Sequence, residues 1–284
     1  MQSMPPETRR QVLRLYVRRV RAQSLSGTVR NVLQPGVARK HLRVLLGAPM
    51  RQASNEYRQS HSPEAEISFC ASLLGVPSST VRSIRAELGD DGFDDALRNR
   101  YFDVRRNARA FDLGRFRIWY TVARVVLPNV VLETGVHDGL SSAVILQALE
   151  RNGTGRLVSI DLPSTDLPPT ADGPGWLVPE RLRARWTLHV GDARRLLPRV
   201  ARDLSAIDVF SHDSDHSADH QAFEYEAVRP YLAPGALVLS DQDYPHETAL
   251  PELARRVAGA HRRVRTVAGD PGLYAGGVRL PGGG

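Results

Sequence analysis

Apolar residues recur along this chain in two rhythms, and the change comes near residue 112. Before it, Val12, Leu13, Leu15, Tyr16 and Val20 fall at helical spacing in a basic amphipathic stretch that opens at Pro5-Pro6-Glu7. The segment from Gly47 through Pro63 is polar and reads as a loop. Ser62-Pro63-Glu64 has the order of a helix start, with serine as cap and proline in the first turn, where the missing N–H costs nothing. That helix is predicted to run to Leu74; Gly75 to Ser79 breaks it, and Thr80 to Leu88 forms a second.

Beyond residue 112, short apolar runs alternate with helical patterns. Phe116 to Val126 predicts a helix ended near Pro128. Val130 to Glu133, Arg156 to Asp161, Trp186 to Val190, Ile207 to Phe210 and Ala236 to Ser240 read as strands. Helices are expected at Ser141 to Arg151, Ala193 to Leu204 and Asp219 to Leu232. Apolar strands alternating with helices imply a parallel sheet with right-handed crossovers. Arg263 to Val267 and Leu273 to Leu280 read as an antiparallel closing hairpin. The expectation is a doubly wound α/β sheet in residues 113–284, preceded by a helical cap or dimerisation segment in residues 1–112.

Composition narrows the class. No apolar run approaches the roughly 18 residues of a membrane span, and Met1 to Glu7 has no apolar core of a secretory signal, so a soluble cytoplasmic protein is expected. The single cysteine, Cys70, excludes an internal disulfide and a thiolate zinc site. The net charge of +7 invites a nucleic-acid reading, with Arg82 and Arg85 on a helix-turn-helix-like pair. However, Lys40 is the only lysine among 38 basic residues, which points to codon bias toward arginine. Nucleic acid is therefore kept as the alternative from another class. A lysine base in the C-terminal half is excluded outright.

Candidate chemistry gathers where the strands end. The first strand runs into Glu133-Thr134-Gly135-Val136-His137-Asp138-Gly139-Leu140-Ser141-Ser142. Gly135 and Gly139 permit a tight turn and a ligand's approach, and Ser141 opens a helix whose free N–H groups suit a carboxylate. The pattern is not the G-x-G-x-x-G of a dinucleotide binder. Asp161 closes the second strand 22 residues after Gly139, placed to grip ribose hydroxyls. Asp192-Ala193 follows the third, with an acid for an adenine amino group. Glu133, Asp161 and Asp192 together predict an electronegative rim that suits a cationic sulfonium and repels a pyrophosphate. S-adenosylmethionine (SAM) is the expected cofactor, and Glu133, Gly135, His137, Gly139, Ser141, Asp161, Asp192, Ala193 and Asp213 its expected contacts.

The fourth strand delivers His212-Asp213-Ser214-Asp215-His216 over that position, and the fifth Asp241-Gln242-Asp243. Carboxylates on adjacent strand tips can share one divalent cation such as Mg²⁺, which would acidify an acceptor hydroxyl. A zinc face of His212, His216 and His220 fails because a strand end interrupts the helical spacing.

The stretch from Val131 to Pro163 resembles the first two motifs of class I SAM-dependent methyltransferases, with their Rossmann-like sheet. The blocks from Phe210 to His216 and through Ser240-Asp241 resemble the small-molecule O-methyltransferase branch, methyltransferase domain 24. Similarity to metal-dependent catechol-type members implies Asp213, Asp241 and Gln242 as metal ligands, although Gln departs from the Asn or Asp usual at the third position. It places His216 where those enzymes keep a catalytic lysine, hence His216 as base with Asp213 beside it. The implied activity is methylation of a small-molecule hydroxyl, by a possible homodimer. Metal-free N- or C-methylation is the alternative within the fold.

Overall fold

In a computed structural model of the chain, the described residues are 63–90, 92–105, 111, 113–162, 173–267 and 273–283, all within the unit Tyr57–Gly284. The amphipathic stretch of residues 5–20, the loop from Gly47 and the Ser62 cap lie outside them.

Strands form where β-branched and apolar residues run together: β1 (Val130–Thr134), β2 (Arg156–Asp161), β3 (Trp186–Val190), β4 (Ile207–His212) and β5 (Leu232–Asp241). These pair in parallel, while β6 (Ala260–Val267) and β7 (Leu273–Arg279) close the sheet antiparallel, in the order β3-β2-β1-β4-β5-β7-β6. The order reverses between β1 and β4, which opens a crevice at their carboxyl ends where such sheets bind ligands. This is the doubly wound, Rossmann-like sheet with an antiparallel closing hairpin that the sequence predicts.

The helices are α1 (Pro63–Leu74), α2 (Ser78–Asp90), α3 (Phe93–Val104), α4 (Arg117–Val126), α5 (Leu140–Asn152), α6 (Ala193–Leu204), α7 (Ala218–Val228) and α8 (Ala249–Arg256). The helix expected to reach Leu232 stops at Val228, because Pro230 cannot donate to a further turn; a 3₁₀ turn, Arg229–Tyr231, leads into β5. None of the described helices is long and apolar enough to cross a membrane.

Side chains alternate across each strand, so the sheet has two distinct faces. Val131, Leu157, Val209, Leu237 and Leu239 pack with residues of α1 to α5 in one core. Leu132, Val158, Ile160, Phe210 and Val238 pack with α6, α7 and α8 in the other. The would-be recognition helix is α2, and its arginines are held by the preceding helix: Arg82 forks onto Glu64 at 2.5 and 2.6 Å, and Arg85 reaches the buried Glu66 at 2.9 Å. Arg85 is thereby withdrawn from solvent, whereas the Arg82–Glu64 pair stays on the surface.

Candidate active site

The two faces meet the crevice through two buried carboxylates. In the parallel register Glu133 stands between Ser159 and Ser211, so all three point to the α4–α5 side. Glu133 is fully buried and accepts hydrogen bonds from Ser141 (2.6 Å), Ser142 (2.6 Å) and Ser159 (2.7 Å). Burial raises its carboxyl above the ordinary value, against the pull of those hydroxyls. One residue on, parity reverses, and Thr134 and His212 face α7. There Glu224, also without exposure, accepts from Thr134 Oγ1 (2.6 Å) and Ser214 Oγ (2.8 Å) and pairs with His212 Nδ1 (2.7 Å) and His220 Nε2 (2.9 Å). Two strand tips are thereby fixed from both sides.

This corrects the expected rim. Glu133 and Ser141 face each other inside the core, not the crevice, because position 133 shares the face of Val131. Asp161 and Asp192 remain at the tips. Asp161 accepts the backbone N–H of His137 (2.7 Å) and of Leu162 (2.8 Å), one on each oxygen. The Val136 amide also reaches this carboxylate; with about four lone-pair sites in all, one stays available to a ribose hydroxyl. Burial raises its carboxyl, partly countered by those backbone donors. Asp192 caps α6 by accepting from Arg194 N at 2.9 Å, and Ala193 is buried in the first turn.

The glycines are required by the chain's own crossings. Gly135 has φ +84°, and a Cβ there would lie 2.0 Å from the carbonyl oxygen of Asp213. Gly139 has φ +96°, and a Cβ would lie 2.7 Å from the Cα of Gly175. His137 sits between them, exposed and at φ 49°, with its carbonyl accepting from Gly175 N. The turn is thus packed beneath the loop of residues 173–178. Asp138 holds that loop by accepting from Trp176 Nε1 (2.7 Å), and it binds both arms of the Arg105 guanidinium (2.6 and 3.0 Å). Arg100 of α3 in turn donates twice to the Trp176 carbonyl.

Beyond β4 and β5, Asp213, His216 and Asp241 bring one ligand atom each within 4.8 Å of one another. His216 Nε2 lies 3.6 Å from Asp213 Oδ1. Burial and the charge of Asp241 push the Asp213 carboxyl well above the carboxylate range. Burial, with His212 beside it, lowers the His216 imidazole to about 4, so this ring is neutral at physiological pH. Gln242 follows Asp241 at φ 61°, and its amide oxygen faces the Tyr244 hydroxyl at 3.5 Å. Asp243 is locked in the hairpin by Arg263 (2.8 and 2.8 Å) and His261 (2.9 Å), so it cannot take a ligand's place. His212 and His220 both point at Glu224, which removes the three-histidine zinc face.

A fourth side chain completes the cluster. Arg115, just before α4, forks onto both oxygens of Asp241 at 2.5 and 2.6 Å, with both partners largely buried. A dication about 5 Å from this guanidinium would meet a repulsion of about 7 kcal/mol at an effective dielectric of about 20. The implied ligand set of Asp213, Asp241 and Gln242 therefore does not fit Mg²⁺ here, because Asp241 already holds a cation with both of its oxygens.

Residues 132–242 match the family model Methyltransf_24, "Methyltransferase domain". Over those residues, somewhat more than a third of its length, the chain is similar to that family. Solved structures share this fold. The O-methyltransferase TomG from Streptomyces achromogenes, involved in tomaymycin synthesis and solved in complex with SAM, is 22% identical, with 67% of this chain and 91% of that one covered and a TM-score of 0.50. A putative O-methyltransferase from Klebsiella pneumoniae is 16% identical over 67% and 91%, with a TM-score of 0.49. No curated protein matches the sequence.

Two residues of consequence escape a reading of the sequence. Glu224 sits in Glu224-Tyr225-Glu226, which reads equally as an exposed helix or an acceptor-pocket wall; both Glu224 and Tyr225 are buried instead. The signal was available: Gln221, Tyr225 and Val228 share its helical face. Arg115 had no such signal, since its partner lies 126 residues away. Just beyond Asp241, Tyr244 stacks on the exposed His246 with ring centres 5.6 Å apart.

Proposed function

We propose that this protein transfers the methyl group of SAM to a hydroxyl oxygen of a small-molecule acceptor, with His216 as base. The observation that carries the proposal is the position of His216 and Asp213 in one cluster at the sheet's switch point, next to the Gly135 turn and two strands from Asp161. Asp161 has a lone pair for a ribose hydroxyl of the cofactor, and Asp192 lies at the adjacent tip. SAM bound there would supply a methyl group on a sulfonium, with the neutral thioether as leaving group, to an acceptor oxygen held in line. The acceptor's proton passes to His216 Nε2, which lies 3.6 Å from Asp213 Oδ1.

The helices α1 to α3 are proposed to flank the site, a reading supported by the grip of Arg100 and Arg105 on the loop above the glycine turn. Calorimetry with the demethylated cofactor, followed by transfer of labelled methyl from SAM to a panel of phenolic and sugar hydroxyls, tests the function. Binding of NADH in place of the demethylated cofactor would overturn it.

A further inference from the structure

Asp213, His216 and Asp241 have the spacing of a cation site, and the side chain that lies in it is a guanidinium. We infer that Arg115 is the resident cation of this site: it balances and orients Asp241, and methyl transfer proceeds without a divalent metal. Three observations support this. Arg115 engages Asp241 with its planar fork, the geometry in which arginine binds a carboxylate most tightly, while both side chains are largely withdrawn from water. The arrangement is braced from behind, because the Arg115 guanidinium lies 4.7 Å from the centre of the Phe116 ring, and Phe116 packs on Trp119. Finally, the neighbours that could complete an oxygen shell are engaged elsewhere: Gln242 is turned toward Tyr244, and Asp243 is bound by Arg263 and His261.

Arg115 acts through Asp241, so it is a positioning residue. Its charge fixes the carboxylate at the tip of β5, against which the Asp213–His216 loop is set. A lysine would keep the charge and lose the fork; a methionine would keep the stem and lose the charge. Without the charge, two carboxylates and a neutral imidazole remain in contact with no cation, which is a donor set open to a divalent ion.

The inference rests on the methyl-transfer reading for its activity arm alone; metal uptake is measured without any substrate. Mn²⁺ titration of the full chain, followed by electron paramagnetic resonance, reads the site directly. Wild type is expected to take up no stoichiometric Mn²⁺, and its turnover to be unchanged in EDTA. Arg115→Met is expected to bind one Mn²⁺ per chain, to lose that uptake when Asp213→Asn is added, and to lose at least ~10-fold in kcat, partly recovered with Mn²⁺. Arg115→Lys should stay free of Mn²⁺ and keep an intermediate kcat. Stoichiometric Mn²⁺ in wild type that vanishes in Asp241→Asn overturns the inference, as does a folded Arg115→Met that takes up none. Should Arg115→Met fail to fold, wild type and Arg115→Lys still decide. Failure of the methyl-transfer reading would appear separately, as absence of cofactor binding with the Mn²⁺ results intact.

Discussion

The carboxylate of Glu224 and the imidazole of His212 meet at 2.7 Å, and neither side chain reaches solvent. Burial alone would raise the Glu224 carboxyl, but the charge and hydrogen bonds of His212 and His220 outweigh it and hold it below the carboxylate range. Glu224→Gln would set an amide NH₂ against some of the four donors that now converge there. A buried network broken at one member is expected to cost about 3 kcal/mol. Thermal melting followed by circular dichroism should show a fall on the order of 10 °C. The sign with pH follows from the depressed value. The Glu224 contribution is present above the ordinary 4.5 and is lost as pH falls through the lower folded value. Wild type should therefore shed this part of its stability only below about pH 4.5, and the variant should lack that part of the acid slope.

How much of this was legible in the sequence depends on the range over which each signal acts. The strands were, because runs such as Val130-Val131-Leu132 are local and bounded by prolines or glycines. The direction of Glu133 was legible in principle, since period-two alternation puts it on the face of Val131, where a free carboxylate for a ligand has no place. Reading the acid by its position at a strand end, instead of by its parity, placed it in the crevice. The glycines were located correctly and explained differently: they make room for Asp213 and Gly175, and those neighbours come from distant loops. No local pattern could join Arg115 to Asp241, and the residues before α3 and α8, Gly92 and Thr248, make no side-chain cap hydrogen bond.

Replacing Gly135 by alanine should test the close crossing directly. A Cβ would have to occupy a point 2.0 Å from the Asp213 carbonyl oxygen, and φ +84° is itself unfavourable for an L side chain. Backbone faces the new atom, so no rotamer can relieve it. Urea denaturation should show a loss of at least about 2 kcal/mol. Affinity for the demethylated cofactor should fall with it, because the turn and the Asp213 loop cannot both hold their places. An unaltered midpoint would mean that the two loops are not in contact in solution.

Asp161 carries the heaviest demand of the proposed cofactor site. The amides of His137, Leu162 and Val136 already hold it, which fixes the plane of the carboxylate. Asp161→Ala should weaken binding of the demethylated cofactor by at least ~10-fold, in line with loss of a charge-assisted hydrogen bond. Asp192→Ala should weaken it less, since part of that carboxylate is committed to capping α6. Calorimetry on both variants gives the ranking, and an inverted order would assign the ribose to Asp192.

The imidazole of His216 gives the sharpest kinetic prediction. A general base must be unprotonated, so activity rises with pH through its titration and is flat above it. An unperturbed histidine would place that rise near 6.5, whereas burial and the neighbouring His212 bring His216 to about 4. The kcat/KM profile should therefore be level from about pH 8 down to about pH 5, with the acid limb lying below the range of ordinary histidines. His216→Gln keeps a polar side chain of similar reach without a basic nitrogen, and should lower kcat by about a hundredfold while leaving cofactor affinity unchanged. Both measurements need circular dichroism at each pH, so that loss of native structure is not read as protonation of the base. An acid limb centred near 6.5 that persists in His216→Gln would move the base to another residue, and with it the chemical step away from the Asp213 loop.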